Sequence, residues 1–282
     1  LLDIGWDCVK DILKRHLHRR FGKPKLSQLR YIAIDEISVR KGHKYLTLVM
    51  NLRSGAVVFV GEGKGAEALR PFWKRLKRSR ARVRAVATDM STAYIGAVHE
   101  NLPRTPVVFD HFHVVKLMSD KLTEVRRRLF HELSAMQRQV VKGTRWLLLK
   151  NPENLDAERG ERDRLDEALR LNEPLAKAYY MKEDLRRIWS QADKEKAAAF
   201  LDDWIERAMD SGITPLATMA KTMAAYRTGI LAWYDHPISS GPMEGTNNKI
   251  KTLKRMAYGY RDMEFFKLRI MAIHEAKYAL TG

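Results

Sequence analysis

The spacing of apolar residues changes along the chain, and each change marks a different kind of structure. In GWDCVKDILKRHLHRR (residues 5–20) the apolar residues recur every three or four positions, which predicts an amphipathic helix. From Gln28 onward, LRYIAIDEISV, KYLTLVMNL and GAVVFVGEG are short apolar runs rich in β-branched residues, and RKGH and RSG separate them as turns. The chain therefore begins with a helix and continues into three antiparallel β-strands.

The next segments alternate between helices and strands. Residues 65–80 predict a helix, VRAVATD a fourth strand, STAYIGAVHENL a short helix and TPVVFD a fifth strand. After Asp110 the strand pattern stops, and residues 114–234 are helical in pattern. We therefore predict an α/β fold of the ribonuclease-H-like arrangement. It would have a mixed sheet of three antiparallel and two further strands, with a large all-helical insertion.

These patterns divide the chain into four parts. Residues 1–26 are predicted to be the end of a helix-turn-helix DNA-binding region plus a linker, because LLDIG resembles the turn of that motif. A basic surface helix is the alternative. Residues 27–115 are the first part of the sheet-forming core, and residues 116–237 are the helical insertion. Residues 238–282 are the C-terminal helices of the core.

The net charge limits the classes of molecule that this protein is expected to bind. Lys and Arg number 52 against 34 Asp and Glu, which gives a formal charge of +18 and a pI near 10.0. Such an excess indicates a nucleic acid or an anionic membrane, with an inert basic surface as the alternative. No apolar run approaches the ~20 residues of a spanning helix, so we expect no membrane partner. The single cysteine, Cys8, and the lack of a signal-peptide pattern predict a cytoplasmic protein.

Two basic segments are candidates for contacts with DNA phosphates. Eight basic residues and no acid lie between Arg70 and Arg84, and four more basic residues follow Glu244 on a predicted helix. A solvated basic face is the alternative for both segments. The predicted DNA-binding residues are Lys74, Arg75, Lys77, Arg78, Asn248, Lys249, Lys251, Lys254 and Arg255.

Three carboxylates are candidate catalytic residues and metal ligands. Asp35 ends the apolar run YIAID and Asp89 ends VRAVATD, and carboxylates at strand ends lie where α/β folds build their sites. Glu244 is the one acid in SSGPMEGTNNKIKTLKR. Such oxygen ligands suit a pair of Mg²⁺ ions, or Mn²⁺ in their place, which activate a water or 3′-hydroxyl for attack on phosphorus. Taken singly, each acid also has a structural interpretation, as a turn or N-cap residue or a charge at a helix N-terminus.

The segment FDHFHVVK places Asp110, His111 and His113 directly after the fifth strand. Taken alone it suggests a zinc site, but a structural zinc requires four ligands, and no cysteine or second pair of histidines supplies them. We predict instead that Asp110 and His113 support the metal ligands or face a phosphate. A hydrogen-bonded core histidine is the alternative for His113.

These stretches resemble the DDE transposases of bacterial insertion sequences. The resemblance is greatest to the ISL-three family, which shares its DDE domain with the element groups numbered 204, 1001, 1096 and 1165. It covers roughly residues 30–276. The stretches that carry it are YIAIDEISVRKGHKYLTLV, ATDMSTAYIGAV, FDHFHVVKL, TRWLLLKNPENL and AYRTGILAWYDHPISSGPMEGTNNKIKTLKRMAYGYRDMEFFKLRI.

The resemblance implies a function and a set of site residues. Asp35, Asp89 and Glu244 would be the metal-binding triad, and Asp110-x-x-His113 would be the Cys/Asp-x-x-His string that follows the second acid in several DDE superfamilies. The implied activity is cleavage at element ends followed by strand transfer through a 3′-hydroxyl into target DNA. The implied partners are terminal inverted repeats and target DNA, bound by a homodimer or larger homo-oligomer.

The resemblance also implies a segment that precedes this chain. Family members begin with a zinc-ribbon and helix-turn-helix region, and this chain begins at Leu1 without a methionine, so we expect zinc, if any, in that preceding region. No organic cofactor is implied. Two alternatives stay open at this point: a catalytically silent, transposase-derived DNA-binding protein or regulator, and a ribonuclease-H-like nuclease.

Overall fold

The computed structural model describes residues 5–40 and 44–274. The first four residues of the predicted LLDIG turn and the last three of the predicted RKGH turn lie outside this range. The chain forms two compact units. The first combines the residues up to Asp110 with those from His236 onward, and the second runs from His111 to Asp235.

The first unit is built on a five-stranded mixed sheet with the strand order β3-β2-β1-β4-β5. β1 pairs antiparallel with β2, and β2 with β3, because only a few residues separate each pair along the chain. β4 and β5 are parallel to β1, because a helix precedes each of them and returns the chain. The predicted α/β class with a mixed sheet is therefore confirmed. The strands are β1 (Tyr31–Arg40), β2 (Lys44–Asn51), β3 (Ala56–Glu62), β4 (Ala85–Thr88) and β5 (Val107–Phe109).

Helices precede, interrupt and follow the strands. The helical pattern of residues 5–20 and 65–80 becomes α1 and α2, each within two residues of the predicted bounds. Two short 3₁₀ helices, Pro152–Asn154 and Arg187–Ser190, lie in the second unit. The helices are α1 (Trp6–Phe21), α2 (Ala66–Arg78), α3 (Thr92–Asn101), α4 (His111–Glu132), α5 (Ala135–Val141), α6 (Arg145–Leu149), α7 (Glu161–Arg170), α8 (Glu173–Arg186), α9 (Lys194–Met209), α10 (Thr214–Asp235), α11 (Gly241–Met256) and α12 (Met263–Met271).

The two faces of the sheet carry different helices, because side chains alternate along each strand. On one face, Ala33 and Ile37 of β1 share a buried core with residues of α1, α11 and α12, among them Ile250. On the other face α2 and α3 contact the strands, and the ring of Phe72 in α2 lies 5.6 Å from that of Phe59 in β3. Helices on both faces bury the sheet, which explains why the central strands are almost wholly apolar.

The second unit consists of α4 to α10 with the two 3₁₀ helices. α4 packs against α8 and α10, and α9 packs against both α8 and α10. Trp204 of α9 is fully buried and donates its indole N–H to the carbonyl oxygen of Met181 in α8 at 2.8 Å. Across residues 5–40 and 44–274, no helix is both long enough and apolar enough to span a membrane.

A buried lysine joins α8 to the segment around α6. The ammonium group of Lys182 donates to the carbonyl oxygens of Leu148 at 2.8 Å and Lys150 at 3.3 Å, and lies 2.7 Å from the carboxylate of Glu183. Burial is the main influence on this group and lowers the pKa of Lys182. A single side chain therefore supplies donors to two carbonyl groups in the core of the second unit.

We expect Lys182→Ala to destabilise the protein by about 3 kcal/mol, because it leaves buried acceptors without a donor. The measurement is urea unfolding followed by tryptophan fluorescence, since Trp204 lies in the same unit. Lys177→Ala is the matched control: Lys177 lies on the same helix but is exposed, so its loss should change stability by no more than about 0.5 kcal/mol. Equal effects of the two substitutions would contradict the structural role of Lys182.

Candidate active site

Asp35 and Asp89 lie next to each other where the parallel pairing of β1 and β4 ends. Asp89 directly follows β4, as predicted, but Asp35 lies in the middle of β1, because that strand continues to Arg40 through its pairing with β2. β1 and β4 are paired in register up to the residue before each aspartate, and neighbouring strands are about 4.8 Å apart. Ala33 and Ala87, two residues earlier, both belong to the core that faces α11. Because side chains alternate, both aspartates follow on that same face of the sheet.

Two donors hold the carboxylate of Asp35. Its Oδ1 accepts the backbone N–H of Glu36 at 2.8 Å, and its Oδ2 accepts a hydrogen bond from Nδ2 of Asn247 at 2.8 Å. Asn247 lies on α11, about one turn after Glu244. The helix that carries Glu244 is therefore hydrogen-bonded directly to the first of the three predicted acids.

The carboxylate of Asp89 also takes part in a turn. Its Oδ1 accepts the backbone N–H of Ser91 at 3.1 Å, just before α3 begins. This is the turn interpretation considered from the sequence. It does not exclude metal binding, because a carboxylate has about four lone-pair sites and the turn uses one of them.

Glu244 is exposed in the first turn of α11, where a negative charge suits the positive end of the helix. In the described part of the chain, no three His, Cys, Asp or Glu side chains lie close enough together to hold a metal ion. The structure thus brings Asp35 together with Asp89 and with the helix of Glu244, but it does not gather the three carboxylates into one cluster. The three-ligand site stays a prediction.

One buried oxygen beside Asp35 suits a cation. Oδ1 of Asn247 is buried and has no hydrogen-bond partner among the described residues, while Nδ2 of the same amide donates to Asp35. A buried acceptor without a donor is unfavourable. Carboxylate and amide oxygens are the ligands that Mg²⁺ and Mn²⁺ prefer. The oxygens of Asp35, Asp89 and Asn247, with Glu244 on the same helix as Asn247, therefore fit a divalent cation.

Asp110 holds the segment that leads into α11. It is 1% exposed, and its Oδ2 accepts hydrogen bonds from the hydroxyl groups of Ser239 at 2.7 Å and Ser240 at 3.0 Å. Ser240 immediately precedes the first residue of α11. Sequence reasoning missed these serines, although the pair directly before Gly241 and Pro242 was a visible signal. The geometry gives Asp110 a role in positioning the start of the helix that carries Glu244.

His113 lies in the first turn of α4, in the second unit. Its ring contacts that of Phe112 edge to face, with a centroid separation of 5.9 Å. The predicted role of His113 near metal ligands or phosphate stays a prediction.

The predicted DNA-binding residues divide into exposed and inward-facing groups. On α2, Lys74, Lys77 and Arg78 are exposed, whereas Arg75 is half-buried and donates to the carbonyl oxygen of Pro24 at 2.8 Å. On α11, Lys254 is half-buried and the others, Asn248, Lys249, Lys251 and Arg255, are exposed. Arg75 thus contributes to internal structure, which the charge pattern alone did not reveal.

A buried hydroxyl network lies next to Asp35 on the opposite face of β1. Tyr94 of α3 donates to Oε2 of Glu36 at 2.8 Å and shares a 3.2 Å hydrogen bond with the hydroxyl group of Thr47. Burial is the main cause that raises the pKa of Tyr94. The network ties α3 to β1 and β2, and it was not foreseen from the sequence because the three residues are far apart in the chain.

The known proteins that match this chain over most of its length are transposases. The profile of the DDE_Tnp_ISL3 family, described as transposase, matches residues 32–270. The chain is 39% identical over 274 residues to the transposase for insertion sequence element IS1001 of Bordetella parapertussis, covering 96% of this chain and 67% of that protein. It is 31% identical over 288 residues to the transposase for insertion sequence element IS1557 of Mycobacterium tuberculosis strain H37Rv, covering 93% and 64%. The chain thus spans about two thirds of the length of these relatives.

Among solved structures, the Drosophila P element transposase strand transfer complex aligns with 94% of this chain and 82% of its own chain. The sequence identity is 14% and the TM-score 0.38, a likeness too low to bear on fold or function. The match to the family profile is much stronger evidence, because it extends over most of the chain, including the positions of Asp35, Asp89 and Glu244. This chain belongs to the ISL3-type family of DDE transposases.

Proposed function

We propose that this chain carries the catalytic part of a DNA transposase, which cleaves DNA at element ends and joins the freed 3′-hydroxyl to target DNA. One observation carries the proposal: Asp35 and Asp89 lie together where the pairing of β1 with β4 ends, and Asn247 ties Asp35 to the helix of Glu244. Membership of a transposase family supports the same reaction class.

Each residue of the site has a distinct task in the proposed reaction. Asp35, Asp89 and Glu244 hold divalent cations, which the DDE family generally uses. When bound, Mg²⁺ or Mn²⁺ activates the attacking water or hydroxyl and stabilises the leaving oxygen at phosphorus. Asn247 keeps the carboxylate of Asp35 in one orientation through its 2.8 Å hydrogen bond. Oriented ligands matter because small displacements of reacting groups lower rates strongly.

The fold proposed for the first unit is a ribonuclease-H-like core. Its order of three antiparallel strands followed by two parallel strands supports this assignment. The second unit is then an insertion that precedes Glu244 in the chain. We further propose double-stranded DNA as the partner, a homodimer or larger homo-oligomer as the form bound to it, and the nucleoid of the bacterial cytoplasm as the place of action.

The exposed cations of α11 are proposed to contact DNA phosphates next to the acids. We expect Lys251→Gln combined with Arg255→Gln to weaken DNA binding and to reduce the slope of log affinity against log salt by about 1.8, since each phosphate contact in B-DNA contributes about 0.9. The measurement is fluorescence anisotropy over a range of salt concentrations. Arg170→Gln with Lys221→Gln removes two exposed cations from the second unit and is the matched control. An unchanged slope in the α11 double variant would place these residues away from the phosphates.

The decisive experiment is strand transfer with a pre-cut DNA end that bears a free 3′-hydroxyl. Wild-type protein and Glu244→Gln are compared in Mg²⁺, in Mn²⁺ and in a chelator. Joined products that require both the cation and Glu244 would support a DDE transposase. Cleavage without joining would favour a nuclease, and DNA binding without either reaction would favour a regulator derived from a transposase.

A further inference from the structure

The turn between α11 and α12 presents a tyrosine to solvent. The side chain of Tyr258 is fully exposed, at 102% of its reference area. Its backbone φ is 50°, in the left-handed region that residues other than glycine adopt rarely. The backbone N–H groups of Tyr258 and Gly259 donate to the carbonyl oxygens of Arg255 at 3.0 Å and Lys254 at 2.9 Å. The exposed ring is therefore held by an ordered turn rather than by packing of its own.

The residues after Tyr258 fasten the other end of the turn. Tyr260 stacks on Phe266 with a centroid separation of 4.4 Å and an interplanar angle of 18°. Asp262 accepts the backbone N–H of Phe265 at 2.9 Å and pairs with Lys14 of α1 at 3.0 Å. The turn is thus fixed to α11 at one end and to α1 and α12 at the other, while the ring of Tyr258 remains outside the core.

A groove of about 780 Å³ runs beside this tyrosine. Trp6 of α1, itself 71% exposed, supplies a second aromatic ring to its lining. The lining acids Asp7 and Asp262 are paired with lysines of α1, whereas Lys254 and Arg261 form no ion pair among the residues that the structure describes. The groove therefore combines exposed aromatic rings with cations that are free to meet an anion.

We propose that this groove binds unpaired nucleotides of DNA, with a base stacked on Tyr258 and flanking phosphates on Lys254 and Arg261. Proteins that bind single strands combine a basic groove with aromatic side chains in this way. A paired base inside a duplex has both faces covered by its neighbours, so a tyrosine ring cannot stack on it while it stays in the helix. The choice of DNA rests on the proposed function. The groove adds a second, distinct site at the C-terminal end of the helix that carries Glu244.

The test compares two DNAs of the same sequence, a blunt duplex and a duplex with an unpaired 3′ overhang that contains 2-aminopurine. Tyr258→Ala should weaken binding of the overhang DNA about tenfold, as expected for the loss of one base stack, and leave duplex binding unchanged. Wild-type protein should quench 2-aminopurine by stacking, and Tyr258→Ala should not. Tyr258→Phe should behave as wild type.

Three further variants complete the test. Tyr258→Gly removes the ring and adopts the positive φ without strain, so it should reproduce the loss in a fully folded protein. Tyr180→Ala removes an exposed tyrosine of α8 in the second unit and should not change the affinity for the blunt duplex or for the overhang DNA. Lys254→Gln with Arg261→Gln should flatten the salt dependence of overhang binding.

Several results would overturn the proposal. One is an equal loss on both DNAs, and another is unchanged binding of both by the alanine and glycine variants. A change in sedimentation of these variants without a change in DNA binding would assign Tyr258 to contact with a second copy of the chain. The proposed function is tested separately. If the wild-type protein joins no DNA ends but quenches the 2-aminopurine fluorescence of the overhang through Tyr258, the transposase reaction is contradicted and nucleotide binding in the groove is supported.

Discussion

Replacing Asp35 with Asn is expected to lower strand joining at least about a thousandfold, equivalent to ~4 kcal/mol of activation free energy. The substitution removes a negative charge from the proposed cation site while keeping the shape of the side chain and an acceptor for Glu36. DNA affinity should stay within about threefold, because the proposed phosphate contacts come from cations elsewhere on the surface. The measurement is single-turnover joining of a pre-cut end, with DNA affinity measured in parallel.

The neighbouring acids supply the comparison for this result. Asp89→Asn should show the same loss, since Asp89 lies beside Asp35 across the β1–β4 pair. Glu100→Gln, on the exposed end of α3, changes the net charge equally and should leave joining unaffected. Joining at the wild-type rate by Asp35→Asn would remove Asp35 from the proposed ligands.

Substitution of Asn247 with Leu is expected to reduce Mn²⁺ affinity and joining by about 10- to 100-fold, the effect commonly seen when a group that orients a metal ligand is lost. The leucine has a similar volume but neither donates to Asp35 nor offers the buried oxygen. Mn²⁺ binding is measured directly by electron paramagnetic resonance of the free ion, without any reaction. The result would show whether the amide acts through the cation site.

Asn248 provides the matched control, because it is the next residue of α11 and is exposed. Asn248→Leu should leave Mn²⁺ affinity unchanged and lower only DNA affinity, in line with its predicted phosphate contact. If Asn247→Leu bound Mn²⁺ as wild type does, the hydrogen bond to Asp35 would have a purely structural purpose.

The sheet and the two aspartates could be predicted from the sequence because their signals are local. The apolar runs YIAID and VRAVATD are short and each ends in an aspartate, although β1 itself continues beyond Asp35 to Arg40. Parallel pairing then follows from the helix before β4, so Asp35 and Asp89 had to meet at one edge if the strands were neighbours. Nothing beyond strand length, apolar pattern and connection type was needed.

The hydrogen-bond partners of Asp35 and Asp110 could not be predicted in the same way, because packing between distant segments of the chain determines them. Asn247 is 212 residues from Asp35, and Ser239 is 129 residues from Asp110. Both contacts depend on how α11 lies on the sheet, which is decided by buried residues such as Met243 and Ile250 rather than by any local motif. Arg75 shows the same limit, since its basic neighbours gave no sign that it bonds to Pro24.

The bonds of Asp110 to Ser239 and Ser240 have an evolutionary consequence. They hold Asp110, the last residue before the second unit, next to Ser239 and Ser240, which follow that unit in the chain. The segment from His111 to Asp235 is therefore inserted between two neighbouring points of the first unit. The entropic cost of bringing the two ends of an inserted segment together rises by only about 0.6 kcal/mol for each doubling of its length. Helices can therefore be gained, lost or exchanged in this segment while the five-stranded sheet keeps its geometry, and Asp110 marks the boundary at which such an exchange would occur.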